Sequence, residues 1–310
     1  MPELPEVETI VADLRPHLAG RTIVSCDLLF PTIVRHPEPE VFIDLVAGMQ
    51  IMSVRRRGKY ILIDLENDLM LVVHLGMTGQ LRLVDADAPI EKHTHAIFTL
   101  NAGSAAPPAL RATSPHGGEA RPLAPPALQA TSPLGGEARL HLRYRDPRRF
   151  GRLLLGTEES LLASKKLPRL GPEPIDPAFA AEELYRRLRK RRTALKAFLL
   201  NQEALAGVGN IYADESLHRA RLRPDRLAGS LSRKSARRLH ESLRDSLLVA
   251  IANRGSSVDT YRDAWGELGG QQEKLLVYGR AGEPCFTCGR PLALIRIAGR
   301  STVFCRRCQR

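Results

Sequence analysis

A proline at position 2 is the residue in this chain best suited to covalent chemistry. The sequence opens Met1-Pro2-Glu3-Leu4-Pro5-Glu6-Val7-Glu8. Removal of Met1, expected where the second residue is small, leaves Pro2 with a free secondary amine. An α-amino group titrates near pKa ~8, so a useful fraction is unprotonated at neutral pH and able to attack a sugar aldehyde carbon, giving a covalent iminium. Glu3 is the adjacent group able to move protons. The same octapeptide also suits a helix start, with Pro5 at the first helical position and Glu3, Glu6 and Glu8 complementing the dipole. Val7, Ile10, Val11, Leu14 and Leu18 recur at helical spacing. The two readings are compatible, because a helix end also holds a carboxylate steady.

A second chemistry sits at the other end. Cys285-x2-Cys288 and Cys305-x2-Cys308 are separated by sixteen residues. Each CxxC turn presents two thiolates, and two such turns on facing hairpins complete a tetrahedral four-cysteine site for one structural Zn2+. Arg290, Arg296, Arg300, Arg306, Arg307 and Arg310 surround this module, either as a grip on nucleic acid or as solvated charge. Between the two ends lie four weaker signals. Gly207-Val208-Gly209-Asn210 links two helical stretches, either as a plain turn or as a set of N–H groups facing a phosphate, with Asn210 adding a donor. The turns Arg145–Gly151 and His74–Gly79 carry Arg148, Phe150 and Met77, which are either surface and core residues or wedges that enter a base stack. Lys59 follows three arginines and either snorkels from a sheet edge or contacts a phosphate.

These groups need a scaffold. The chain has 310 residues, 43% hydrophobic, with a formal net charge of +12. That supports sizeable cores and favours a polyanionic partner. No run reaches the ~20 apolar residues of a membrane span. The acidic N-terminus lacks a signal-peptide core. From Thr22 to about Leu155, alternation and turn residues predict short strands at Ile51–Val54, Tyr60–Leu65, Leu69–His74, Gln80–Val84, Ala96–Leu100 and Leu140–Tyr144, hence a β-sandwich or barrel. Residues 106–121 and 124–139 repeat a Pro/Gly/Ala-rich 16-residue unit with 14 identities. The repeat reads as a flexible insertion at a hairpin tip, spanning 102–139. From about Pro177 the pattern is helical, with helices expected near 211–220, 232–253 and 257–264.

Together these residues resemble the bacterial formamidopyrimidine-DNA glycosylases. The resemblance rests on Pro2–Glu8, Gly58-Lys59-Tyr60, His74-Leu75-Gly76-Met77, Asp146–Gly151, Gly207–Ala213 and the four-cysteine tail, in that order. It implies an α+β fold: an N-terminal helix and β-sandwich catalytic domain (1–156), a helical helix–two-turn–helix domain (157–277) and a zinc finger (278–310). It implies a base-excision-repair glycosylase and AP lyase that removes oxidised purines from duplex DNA as a cytoplasmic, nucleoid-associated monomer. Pro2 is then the nucleophile and Glu3 its proton shuttle. Lys59 and Arg300 match positions serving elimination and phosphate contact. Met77, Arg148 and Phe150 match the residues that fill the void beside a flipped base, and His93, Arg191 and Asn210 match DNA-backbone positions. One departure concerns the loop facing the lesion. Gly266-Glu267-Leu268-Gly269 is followed by Gly270-Gln271, where the family often carries a Tyr-Phe pair. The competing reading is a DNA-binding protein that keeps the scaffold without catalysis.

Overall fold

The computed structural model describes residues 1–101 and 139–310. The repeated segment lies outside the described residues, apart from Arg139. Helix α1 (Leu4–Leu18) leads into β1 (Ile23–Leu28), β2 (Val34–His36), α2 (Pro39–Val46), β3 (Ile51–Arg57), β4 (Tyr60–Leu65), β5 (Met70–His74), β6 (Gln80–Asp85), β7 (Thr94–Leu100), β8 (Leu140–Arg145) and β9 (Arg152–Gly156). The helices α3 (Glu158–Ala163), α4 (Ala181–Leu188), α5 (Leu195–Leu200), α6 (Asn210–Arg219) and α7 (Arg233–Ala252) follow, and a hairpin of β10 (Ala293–Ile297) and β11 (Arg300–Phe304) ends the chain.

Two sheets make the N-terminal half, in the orders β2-β9-β5-β4-β3 and β1-β7-β8-β6. Alternate residues set the layers. Ile61, Ile63, Leu71, Val73, Leu153 and Leu155 face Leu81, Leu83, Phe98, Leu140 and Leu142 of the other sheet, and Val7, Ile10, Val11 and Leu14 of α1 join the same core. The intervening Tyr60, Leu62, Val72 and Leu154 face outward but are also covered, by Leu161 and Leu167. The five-stranded sheet is therefore buried on both faces, which explains its near-continuous apolar strands. β7 and β8, the two central strands of their sheet, pair in register from Ala96↔Tyr144 to Leu100↔Leu140, so the chain leaves β7 and re-enters β8 at the same end of the sheet.

The helical half has its own core, built from α4, α5, α6 and α7 around Leu184, Leu195, Leu199, Leu217, Leu239 and Leu243. Its apolar residues Leu184 and Leu188 lie on α4 and Leu195 and Leu199 on α5, with Lys190 between the two helices at φ +62°. No helix forms over 257–264. Local side-chain bonds win there: the Ser257 N–H donates to Gln272 Oε1 at 2.9 Å, and Ser257 Oγ accepts the Gly269 N–H at 3.0 Å. Gln271 is buried, its Oε1 accepting from Asn253 Nδ2 at 2.9 Å. The two glutamines thus pin the segment.

A buried ionic knot ties the sheet to the helical half. The Arg56 side chain is only 6% exposed. Its Nε donates to Glu8 at 2.6 Å and its two terminal nitrogens donate to both Glu173 oxygens, at 2.8 and 2.6 Å. Glu173 Oε1 also accepts the Gly58 N–H at 2.6 Å, at the two-residue turn that carries Lys59. Bonds from Arg56 hold the Glu173 carboxyl below its ordinary range against the opposing push of burial. Removing one partner of such a pair strands the other charge. Glu173→Ala should therefore lower unfolding free energy by roughly 3 kcal/mol, the low end for a buried pair because Glu8 stays with Arg56. Urea denaturation measures it.

Candidate active site

The site begins where two helix N-termini meet. Glu3 precedes α1, and its N–H donates to Glu6 Oε2 at 2.8 Å. Its carboxylate turns the other way and accepts three backbone N–H groups at the start of α6: Gly209 at 2.8 Å, Ile211 at 2.9 Å and Tyr212 at 3.4 Å. A helix N-terminus presents unpaired donors and positive dipole charge, so a carboxylate suits it. The glycine loop therefore spends these donors on Glu3. They are not left for a phosphate, which corrects that part of the sequence reading. Gly209 is glycine for space: a Cβ there would lie 2.3 Å from the Glu3 carboxyl carbon.

Glu6 is a second anchor. It is buried and accepts from Tyr212 Oη at 2.6 Å and from the Ser256 N–H at 2.8 Å, besides the Glu3 N–H. Burial and the neighbouring Glu3 push its carboxyl above the ordinary range, and the three hydrogen bonds act against that rise. Leu4, between the two glutamates, packs on Tyr212 and Leu247. Its N–H donates to the Gly207 carbonyl at 3.1 Å.

Lys59 occupies the β3–β4 turn and is 7% exposed. Burial pushes its ammonium below the usual lysine range, Glu3 and Glu6 pull it back up, and Arg300 adds to the lowering. Pairing of β10 with β11 brings Arg300 to the hairpin tip, beside Ala298 and Gly299. The strand behind it is clamped: Lys196, 0% exposed, pairs with Asp214 at 2.7 Å and donates to the Ser301 carbonyl at 2.8 Å and to Thr302 Oγ1 at 2.9 Å. Asp214 in turn accepts the Val303 N–H at 3.0 Å.

The same strand runs directly into Cys305. The four predicted cysteines cluster, with all ligand atoms within 4.8 Å of one another. Cys285 and Cys308 Sγ lie 3.9 Å apart and Cys288 and Cys305 Sγ 3.5 Å apart. Zn–S bonds of ~2.3 Å in a tetrahedron place sulfurs about 3.8 Å apart, so the cluster fits zinc with no room for an open position.

These segments surround a cleft of about 610 Å³, lined by Pro2, Glu3, Lys59, Met77, Asn210 and Arg300, with His74 and the 256–259 loop completing the wall. Six of the ten predicted catalytic and DNA-contact residues therefore converge. The other four do not line it. Phe150 is 51% exposed, with the Arg148 guanidinium stacked 4.7 Å from its ring centroid. His93, at φ +69°, offers its carbonyl to the Asp146 N–H at 3.0 Å. Arg191 lies beyond α4, its carbonyl accepting from Gly229 at 3.0 Å.

Asp146, which sequence reasoning passed over, holds the His74–Gly79 and Arg145–Gly151 turns together. Fully buried, it accepts Thr78 Oγ1 at 2.5 Å and the Gly151 N–H at 2.8 Å. The turns touch so closely that a Cβ on Gly76, already at φ +61°, would lie 2.6 Å from Phe150 backbone. Glu6, Tyr212 and Glu173 were also missed; the only sequence trace of the last is its Gly-Pro-Glu-Pro setting.

His74 gives the site a pH signature. Burial, then Arg152 and Lys59, push its imidazole down to about 4. The unfolded chain takes up a proton near pH ~6.5 that the folded chain refuses until much lower pH. Stability from this group is present above the unfolded value and is lost as pH falls through that window, by roughly 3 kcal/mol in all. His74→Gln should flatten the pH dependence of urea midpoints between those limits.

Comparisons with known proteins agree with this geometry. The formamidopyrimidine-DNA glycosylase N-terminal domain matches residues 1–110, the H2TH domain of the same proteins matches 170–262, and a zinc finger found in FPG and IleRS matches 282–310. The formamidopyrimidine-DNA glycosylase of Desulforamulus reducens is 41% identical over 100% of this chain and 99% of its own. That of Geobacillus kaustophilus is 40% identical over 100% of both. Among solved structures, Thermus thermophilus MutM (FPG) superposes with a TM-score of 0.79 at 39% identity, covering 99% of this chain and 98% of its own. Lactococcus lactis Fpg bound to abasic-site DNA gives 0.81 at 33% identity over 99% of both chains. By its fold, its zinc-fitting cysteine cluster and these matches, the chain belongs to the formamidopyrimidine-DNA glycosylase family.

Proposed function

We propose that this protein is a bifunctional DNA glycosylase and AP lyase of base-excision repair that removes oxidised purines from duplex DNA. The observation that carries the reading is the convergence of Pro2, Glu3, Lys59, Asn210, Arg300 and Met77, from distant parts of the chain, on one cleft. A non-catalytic binder has no use for a buried Pro2-Glu3 facing a buried lysine.

Catalysis starts once Met1 is removed, because an amide nitrogen at Pro2 is not nucleophilic. The freed amine attacks C1′ of an everted nucleotide and the damaged base leaves. Extruding the nucleotide costs a few kcal/mol, offset by wedge and phosphate contacts. A carboxylate has about four lone-pair sites, and three of those on Glu3 are taken by α6. The remaining one is the site through which Glu3 passes the proton that opens the sugar ring. The resulting iminium acidifies the C2′ proton, and the 3′ and then the 5′ phosphate depart. Lys59, its ammonium weakened by burial, serves the elimination steps, and Arg300 steadies the phosphates. Met77, Arg148 and Phe150 fill the vacated stack. Asn210, His93 and Arg191 hold the backbone, the last two from outside the cleft. Zinc is structural: bound by Cys285, Cys288, Cys305 and Cys308, it fixes the hairpin that carries Arg300.

The division into 1–156, 157–277 and 278–310 is supported by apolar clusters centred on the sandwich, on α4–α7 and on the cysteine hairpin, with Tyr261 and Ala264 packing into the first and Val277 into the third. A monomer is part of this reading. The relatives are bacterial, and no helix among the described residues is long and apolar enough to cross a membrane. That fits work in the cytoplasm at the nucleoid.

Sodium borohydride should trap a covalent complex between the Met1-processed protein and DNA containing 8-oxoguanine, whereas protein retaining Met1 should give none. Pro2→Gly should lose most of the trapping, keeping only what a primary amine allows. Absence of any trapped species from verified processed protein would sink the enzyme reading.

A further inference from the structure

A second basic concavity, of about 460 Å³, lies on the other side of the wedge turns and has no part in the chemistry above. Its charged lining is Arg35, Arg149, Arg152, Lys165 and Lys166, with Phe150 at the rim and no acidic residue. Parallel pairing of β2 with β9 brings Arg35 beside Arg152. Lys165 and Lys166 come from the turn after α3, and Arg149 from the wedge turn itself. None of the five is in an ion pair with a carboxylate among the described residues. Glu158, at the start of α3, is committed to Arg55 at 3.6 Å. Five clustered cations without a counter-charge repel one another, and a polyanion relieves that repulsion.

The position identifies which polyanion. Met77 lines the catalytic cleft and Phe150 lines the second groove, while their two turns are in van der Waals contact. His74 of β5 lines the cleft, and its register partner Arg152 of β9, beside it on the same face of the sheet, lines the groove. The two basic channels therefore adjoin, with the contacting turns between them. A duplex wedged open on those turns has its everted strand on the Pro2 side and its intact strand on the Phe150 side. We propose that the groove formed by Arg35, Arg149, Arg152, Lys165 and Lys166 holds the sugar-phosphate backbone of the strand opposite the lesion. The inference rests on the proposed action on duplex DNA and goes beyond it by assigning the intact strand a site of its own. Such a site gives the protein a means of preferring duplex over single strand without reading sequence, since phosphate contacts position rather than specify.

The test is the salt dependence of binding by the full-length processed protein, wild type and Lys165→Gln/Lys166→Gln. The probes are a duplex with an uncleavable abasic analogue and the same damaged strand alone. Each neutralised phosphate contributes about 0.9 to the slope of log K against log salt on duplex DNA. The double variant should therefore show a duplex slope shallower by about 1.8, with the single-strand slope unchanged. An unchanged duplex slope, or equal losses on both probes, overturns the proposal. Borohydride trapping by the wild type judges the enzyme reading separately. Trapping without the slope difference sinks the groove alone, and the slope difference without trapping sinks the enzyme alone.

Discussion

The Glu3 carboxylate lies against the first turn of α6, and nearly everything in the site is placed by that contact. Three backbone N–H groups hold it. Charge at a helix N-terminus is worth up to ~2 kcal/mol in partly buried geometries. Because Pro2 is the preceding residue, fixing Glu3 fixes the proline nitrogen to within one peptide unit. Glu6 repeats the arrangement one turn later with Tyr212 and Ser256. A chain terminus, ordinarily the most mobile part of a protein, is thereby tied down by buried hydrogen bonds. The same contact joins the two halves, since α1 packs in the β-sandwich core while α6 belongs to the helical one.

The opposite wall of the cleft is built from the far end of the chain. Arg300 sits at a hairpin tip, and a tip alone would not be precise. The cysteine cluster at the hairpin's base and the buried Lys196–Asp214 pair along β11 supply the precision. Breaking a buried pair of this kind is costly, whereas its presence stabilises modestly. Its value here is positional: it fixes strand β11 against α5 and α6, and so fixes Arg300 relative to Glu3. The Arg56–Glu173 knot does the equivalent for Lys59.

Local patterns were legible in the sequence and long-range partners were not. The six predicted strands all form, because alternation and turn residues are local signals. So does the cysteine cluster, because CxxC turns need only each other. Helices α6 and α7 appear within a residue or two of their expected bounds. The helix expected over 257–264 fails because Ser257 and Gln272 bond across a turn that periodicity does not register. Helix α2, β1, β2 and β9 were not singled out. The partners of Glu3 lie 206 to 209 residues away, and those of Arg56 up to 117. No spacing rule reaches that far. Asp146 looked like one charge in a charged turn, and only its complete burial shows that it holds two turns together.

Glu3, seated on α6, fixes the position of the Pro2 nitrogen. Gly209→Ala tests this placement, because the added methyl would meet the Glu3 carboxyl group. The measurement is the single-turnover rate of borohydride trapping on abasic duplex DNA by the processed variant, with zinc content and duplex affinity checked alongside. Displacement by about an ångström costs roughly 10²-fold in reactions of this kind. The account predicts a loss of about that size with zinc content and affinity retained. An unchanged trapping rate would contradict it.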